Sequence, residues 1–370
     1  MMDNKLILEE RITRLRKAVS FKKPDRVPVV LEYSGFAAYV TGTPMADFIS
    51  SPTKATQTMI KAFNCVGGGD GINYGSFSAH NLSYSFGAKV RVPGVDLPSN
   101  ELWQVEETEI MTQNDYDSIL DLGWKAFFKD YLSNRIFNDA KHELLPDNQN
   151  PVDVIGKWAD NGIPVLSGGD VTLPFELLCG GRSLEKFFMD LINIPDKVKM
   201  VMDEIIPHLA KDIVQKASSK GYMMVWVGGW RTAPCMISPQ MWDRFVWPYL
   251  KHLVNEVINA GLIPLLHLDS NWERELERFK AFPKGKIVVA LDGDTNIFRA
   301  KEILDDHACI MGDVPAYLLA FGVEDEVYRY CTNLITNLGP DGFILQSGCD
   351  IPANAKLENV KAMVAAATGK

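Results

Sequence analysis

No stretch of this chain approaches the ~20 consecutive apolar residues that cross a bilayer. Met1 to Arg16 is charged and helix-patterned, without the apolar centre that a signal peptide needs. A cytoplasmic protein that makes no use of a membrane is the expectation. Clustered basic residues are missing as well. The chain has 38 Lys and Arg against 47 Asp and Glu, a formal charge of -9, so a nucleic-acid backbone meets no matching surface. A small molecule or a protein partner is expected instead. Cysteine is scarce and unpaired: Cys65, Cys179, Cys235, Cys309, Cys331 and Cys349 show no CxxC or other paired spacing, which argues against a disulfide framework. Gly67-Gly68-Gly69 lacks GxGxxG spacing and has no Lys-Ser/Thr after it, so it is not a nucleotide loop. There is no internal repeat and no low-complexity tract.

What the chain does have is apolar strand-like runs. Eight stand out, Val27 to Glu32, Gly69 to Tyr74, Ile163 to Asp170, Tyr222 to Gly228, Leu262 to Asp269, Lys286 to Asp292, Ala308 to Asp313 and Gly342 to Asp350. From the third onward each leads into a helical pattern, the βα alternation of a parallel sheet. The 370 residues, 46% hydrophobic, can bury a large core, and the reading is one α/β domain over 1–370, a (β/α)8 TIM barrel. Residues 5–20 form an amphipathic N-terminal helix across the barrel bottom. A second helix starts at Ser238 as N-cap with Pro239 at its first position and runs to Gly261; a third covers Val323 to Leu338, with Cys331 on its core side. Residues 75–160 break the alternation and read as an insertion after the second strand. It holds hairpin-like segments over Ser83 to Val92 and Glu101 to Glu107, then helix around Asp115 to Asn138. Such insertions at the active end shape the pocket.

Strands of a (β/α)8 barrel carry the active site at their C-terminal ends. The polar residues expected there are Glu32, Asp70, Asp170, Trp230 with Arg231, His267 with Asp269, Asp292, Asp313, and Gln346 with Cys349. Converging carboxylates repel unless a cation or a proton offsets them, which favours a metal or a substrate rich in donors. Residues i and i+2 of a strand face the same side, so His267 and Asp269 can reach one point. Cys349 follows a glycine at the end of the last run, and imidazole, carboxylate and thiolate are zinc donors. Each has a plainer reading. A lone histidine at a strand end is more often a structural hydrogen-bonding group, and Asp292 and Asp313 precede helices where capping or turn roles are natural. Arg231 can pair with a carboxylate of the protein rather than with substrate, and Trp230 can be rim packing. Trp103, Tyr116, Trp124 and Phe127 can line a pocket but belong more often in a core.

Pro24-Asp25-Arg26-Val27-Pro28-Val29, Ser183-Leu184-Glu185-Lys186-Phe187-Phe188-Met189-Asp190-Leu191, the Ile237-Ser238-Pro239 helix leading into Trp247-Pro248-Tyr249-Leu250-Lys251, and Gly348-Cys349 with Pro352 and Glu358-Asn359 together resemble the uroporphyrinogen decarboxylase superfamily. The resemblance runs nearly end to end and implies the (β/α)8 barrel. The decarboxylase branch clamps porphyrinogen carboxylates with arginines just after the first strand. Here that place reads Glu32-Tyr33-Ser34-Gly35-Phe36-Ala37, without arginine, although Asp70 falls near the family's catalytic aspartate.

The other branch comprises zinc methyltransferases that work with corrinoid proteins, including methylcobalamin:thiol methyltransferases and components of O-demethylase systems. Their zinc motif resembles HxC on one strand and a GC loop on the last. His267 and Cys349 match, and Asp269 stands where those enzymes have cysteine. A His-Asp-Cys set makes a harder zinc site, suited to an ether or hydroxyl oxygen more than to a thiol, and Asp292 is an alternative or additional ligand. The resemblance implies methyl transfer between a small methylated donor or acceptor and a corrinoid (cobalamin) carried by a partner protein docked on the rim. Glu32, Asp70 or Asp313 would relay a proton, with Trp230, Arg231 and Gln346 on the cofactor side. Decarboxylation of another tetrapyrrole or carboxylate, and a non-catalytic corrinoid or tetrapyrrole binder, are the alternatives. Dimers are common in the superfamily, which leaves a homodimer open.

Overall fold

A computed structural model describes residues 4–137 and 153–369; part of the expected insertion, from Asn138 to residue 152, lies outside the described residues. In chain order the strands are β1 (Val30–Leu31), β2 (Gly71–Ile72), β3 (Val90–Arg91), β4 (Gln104–Val105), β5 (Ser167–Val171), β6 (Met224–Gly228), β7 (Ile263–Leu268), β8 (Val288–Leu291), β9 (Cys309–Val314) and β10 (Phe343–Ser347). Strands β5 to β10 form one parallel six-stranded sheet in sequence order, and β1 pairs β2 in parallel. Isolated parallel bridges complete the circuit, Ile72 to Val165 on one side and Val29 to Leu345 on the other. The peptide hydrogen bonds Leu166 N–H to Ile72 and Leu345 N–H to Pro28, both 2.9 Å, tie the same seams. Each of the eight apolar runs contains one strand of this TIM-barrel-like ring.

The lumen is packed and not a pore. Val30, Leu166, Met224, Leu265, Val288, Ala290, Met311 and Ile344 fill its lower part, joined by Leu15, Ala18 and Val19 of the N-terminal helix Asn4–Val19. That helix plugs the N-terminal end of the barrel with its apolar face. Because a strand repeats every two residues, the next inward position above Val30 is Glu32, above Met224 is Trp226, above Leu265 is His267 and above Ile344 is Gln346. The same alternation that fills the lower layer with hydrocarbon therefore puts polar side chains at the mouth.

The structure differs from the sequence reading in two elements. The helix expected from Ser238 to Gly261 is two, Pro239–Phe245 and Trp247–Asn259, broken at Val246 because Pro248 is tolerated only in the first turn of a new helix. Ser238 is the N-cap, its hydroxyl accepting from Met241 N–H. The alternation over Ser83 to Val92 is not one strand. Asn81–Phe86 is helical and ends at Gly87, φ +64°, with only Val90–Arg91 left to pair with Gln104–Val105 as an antiparallel hairpin. Tyr116, Trp124 and Phe127 are core residues of the helices Asn114–Leu122 and Trp124–Tyr131, and Trp103 packs on Phe77 at 4.2 Å between ring centroids.

Candidate metal centre

Strand β7 ends at Leu268, so His267 stands on its last inward position and Asp269 on the turn just beyond. Cys349 lies two residues past β10, on the loop opened by Gly348. A Cβ at Gly348 would fall 2.4 Å from the Asp292 carbonyl oxygen, so only glycine lets the Cys349 loop pass this close to the end of β8. One donor atom from each of His267, Asp269 and Cys349 lies within 4.8 Å of the others, and this is the one such group among the described residues. His267 Nε2 is 3.3 Å from Asp269 Oδ1, close to the ~3.4 Å edge of a tetrahedron with bonds of about 2.1 Å. His267 is buried, while Asp269 and Cys349 are partly exposed. The set is reachable from the mouth and fits a tetrahedral ion with one position left open.

The surroundings of the three are acidic. Burial works against the His267 imidazolium, yet Glu32, Cys349 and Asp269 outweigh it and hold the imidazole pKa well above the usual histidine range. Burial pushes the Cys349 thiol up, opposed by His267. An ion bound here would reverse both tendencies by taking up thiolate and neutral imidazole. Trp226 stacks on the His267 ring at 5.1 Å and fixes its plane, while His267 Nδ1 is buried without a hydrogen-bond partner.

A second layer of polar groups surrounds Glu32, and of these only Gln346 was among the residues expected there from the sequence. Asn73 Nδ2 donates to Glu32 Oε2 at 2.5 Å and Gln346 Nε2 donates to the same oxygen at 3.0 Å. Asn73 Oδ1 in turn accepts from Ser167 Oγ. Beside them Asp350 accepts from Tyr74 Oη on one carboxylate oxygen and from Ser34 Oγ on the other. Burial raises the Asp350 carboxyl to about 6, the two hydroxyls pulling it down and Glu32 pushing it up. Asn73 was discoverable from the alternation of the second run, two positions after Gly71. Nothing in the sequence marks Ser34.

Several expected site residues lie elsewhere. Asp70 precedes β2 and sits at the opposite, N-terminal end of the barrel, fully buried. It accepts from Arg14 and Arg26 at 2.6 Å each and from Val29 N–H at 2.9 Å, which makes it an anchor for the N-terminal helix. Asp313 is turned to the helix layer, where Tyr330 Oη donates to it at 2.8 Å. Asp292 spends its oxygens on Ser270 N–H at 2.6 Å and Asp294 N–H at 2.9 Å, organising two turns beside the site. Asp170 is exposed and accepts from Ser85. Arg231 is fully buried and ion-paired with Glu107 and Glu176, its guanidinium 4.0 Å from the Trp230 ring centroid. Trp230, partly exposed, also packs on Phe86 at 4.6 Å. These two link β6 to the segment after β2 and leave no free cation at that point. Glu32 and Gln346 do meet His267 at the mouth.

The family model described as uroporphyrinogen decarboxylase (URO-D) matches residues 155–369, more than half of the chain. The chain belongs to the uroporphyrinogen decarboxylase family. Among curated relatives it is 26% identical over 243 residues to the uroporphyrinogen decarboxylase of Syntrophotalea carbinolica, covering 61% of this chain and 67% of that protein. The enzyme of the same name from Myxococcus xanthus is 23% identical over 201 residues, covering 52% and 54%. The chain thus matches between about half and two thirds of the length of these URO-D relatives. Among solved structures, a methyltransferase from Methanosarcina mazei superposes with a TM-score of 0.74 at 17% identity, covering 96% of this chain and 97% of the other; the two share the URO-D-type fold. His267, Asp269 and Cys349 lie inside the matched URO-D region, whereas Glu32, Asn73 and Tyr74 precede it.

Proposed function

We propose that this URO-D family member is a metal-assisted methyltransferase that moves a methyl group between a small methylated substrate or acceptor and a corrinoid carried by a separate protein. The observation that carries the reading is the convergence of His267, Asp269 and Cys349 at the mouth. The decarboxylase reading is weaker for this chain. A polycarboxylate entering the mouth would meet Glu32, Asp269 and Asp350, and the nearby Arg231 is already paired; like charges brought together there are unfavourable. On this reading 1–370 is one unit whose 75–160 segment shapes the pocket, and the protein acts in the cytoplasm; among the described residues no helix is long and apolar enough to cross a membrane.

His267, Asp269 and Cys349 would hold zinc, which supplies Lewis acidity to the electron pair left on the departing heteroatom. Toward the corrinoid, the bond from the donor heteroatom to the methyl carbon would break with its electron pair left on the heteroatom, while the methyl carbon bonds to the reduced corrinoid's cobalt, which supplies the new pair and is oxidised by two electrons. Glu32, fixed by Asn73 and Gln346, orients the substrate, and Trp226 keeps the His267 ring in place. The test is metal analysis of the purified protein with a screen of methylated compounds against a reduced corrinoid, followed spectroscopically. One zinc per chain is expected. His267→Ala and Cys349→Ser should each remove most of the metal and of the methyl transfer while the far-ultraviolet circular dichroism stays unchanged. Asp269→Cys should keep the metal and shift preference toward thiols. Stoichiometric zinc surviving both His267→Ala and Cys349→Ser would place the metal elsewhere.

A further inference from the structure

The polar groups around the mouth are oriented in one sense. Glu32 Oε2 takes one amide N–H from Asn73 and one from Gln346. Asn73 cannot be turned over without setting its carbonyl oxygen against the Glu32 carboxylate. With its NH2 directed at Glu32, Gln346 leaves its Oε1 buried and without a partner, although the residue is completely shielded from bulk solvent. Tyr74 and Ser34 spend their hydroxyl protons on Asp350, so toward any ligand they offer lone pairs. Every oriented group but one therefore presents an acceptor, the exception being His267 Nδ1. No Lys or Arg is among the hydrogen-bond or ion-pair partners of Glu32, Asp269 or Asp350 among the described residues. A divalent ion held by Asp269 and by Cys349 as thiolate would be neutralised by those two charges, leaving Glu32 without a counter-charge. A buried carboxylate is costly unless paired.

From this arrangement we infer that the mouth selects a methylated ammonium compound, with its positive nitrogen against Glu32 and the Gln346 Oε1 acceptor, and rejects carboxylates and sulfonates. The inference rests on the metal-assisted methyltransferase reading, on the ion for the charge balance around Glu32 and on the transfer for what becomes of the ligand. Transfer from such a donor balances simply: the C–N bond breaks, nitrogen keeps the pair and loses its positive charge, the methyl carbon bonds to the cobalt of the reduced corrinoid, which supplies the new bond's pair and is oxidised by two electrons, and no proton has to be supplied.

Three ligands that share a three-methyl head and differ in charge test this: trimethylammonium, tert-butanol and pivalate. In calorimetric titrations of the zinc-loaded protein, trimethylammonium should bind about tenfold or more tightly than tert-butanol, as expected for a charge-assisted contact, and pivalate should not bind. Glu32→Gln should abolish the preference for the cation while zinc stays at one per chain. If that variant does not fold, Gln346→Met, which removes the amide and its free acceptor, should reduce the preference severalfold. Equal binding of alcohol and cation, tighter binding of pivalate, a preference that survives in a folded Glu32→Gln or Gln346→Met protein, or no binding of any of the three would overturn the inference. Selective ammonium binding with no methyl reaching a corrinoid would instead defeat the methyltransferase reading and leave the selectivity standing. Methyl transfer from neutral or anionic donors alone would do the reverse.

Discussion

Asp313 shows how one side chain can satisfy a sequence argument and still serve another purpose. It ends an apolar run, as a catalytic acid should, yet its carboxylate rests against Tyr330 on the helix Glu324–Leu338. Burial pushes its carboxyl up to about 6, with the Tyr330 bond pulling the other way. In the unfolded chain it would titrate near 3.9. The folded protein therefore binds a proton that the unfolded chain releases between those values, and the stability linked to this group is fully present below about pH 4 and is lost as pH rises through 6. Asparagine can accept the same Tyr330 hydrogen bond without ionising. Asp313→Asn should match the parent in urea melts near pH 4 and exceed it near pH 8 by on the order of 2 kcal/mol. Equal stability at pH 8 would mean that Asp313 is ionised at little cost.

Elements were more legible than residues, and the reason is physical. Each barrel strand is buried on two faces, so it leaves a continuous apolar run that composition alone reveals, and all eight runs hold a strand. Which end of a run faces the mouth is a matter of one or two residues. Asp70 and Glu32 illustrate this. Both border short strands, but Glu32 follows Leu31 whereas Asp70 precedes Gly71, and the barrel's whole height then separates them. The apolar lumen and the His267-Asp269-Cys349 group followed from period-two alternation and from donor chemistry. Of the amide and hydroxyl partners of Glu32 and Asp350, Gln346 stood among the expected strand-end residues and Asn73 keeps period with Gly71, but Tyr74 and Ser34 carry no spacing signal and meet Asp350 only through the closure of β1 on β2 and β10. The position of Asp70 sets a further expectation. It ties the helix Asn4–Val19 to the strand ends through Arg14 and Arg26, so Asp70→Asn leaves two half-buried guanidinium groups underpaired and should cost about 3 kcal/mol in chemical denaturation. Zinc content should be unaffected, since the change lies at the end of the barrel away from the ligands. Loss of metal or of substrate binding in a folded Asp70→Asn protein would show that Asp70 acts on the site.

At the scale of the whole molecule, folding and chemistry occupy opposite ends of one barrel. The lower lumen is closed by hydrocarbon and by Leu15, Ala18 and Val19, and the base is tied by the Arg14, Arg26 and Asp70 ion pairs. The proposed ligands sit above this on a strand end and two loops, and His267 alone of the three is buried. A metal in such a place adds binding free energy to the folded state without creating the core, unlike a small zinc domain that unfolds when its ion is removed. With free zinc at about 100 times its dissociation constant the linkage is worth about 2.7 kcal/mol. A 370-residue chain has a large unfolding entropy, so that should appear as only about 3 °C in Tm. Chelation is therefore expected to lower Tm by a few degrees, leave the circular dichroism unchanged, and be reversed by zinc. Cys349→Ser should show neither the loss nor the recovery. A chelator that unfolds the protein outright would mean that the ion helps to build the barrel. A chelator with no effect on Tm or on metal content would mean that His267, Asp269 and Cys349 do not hold one.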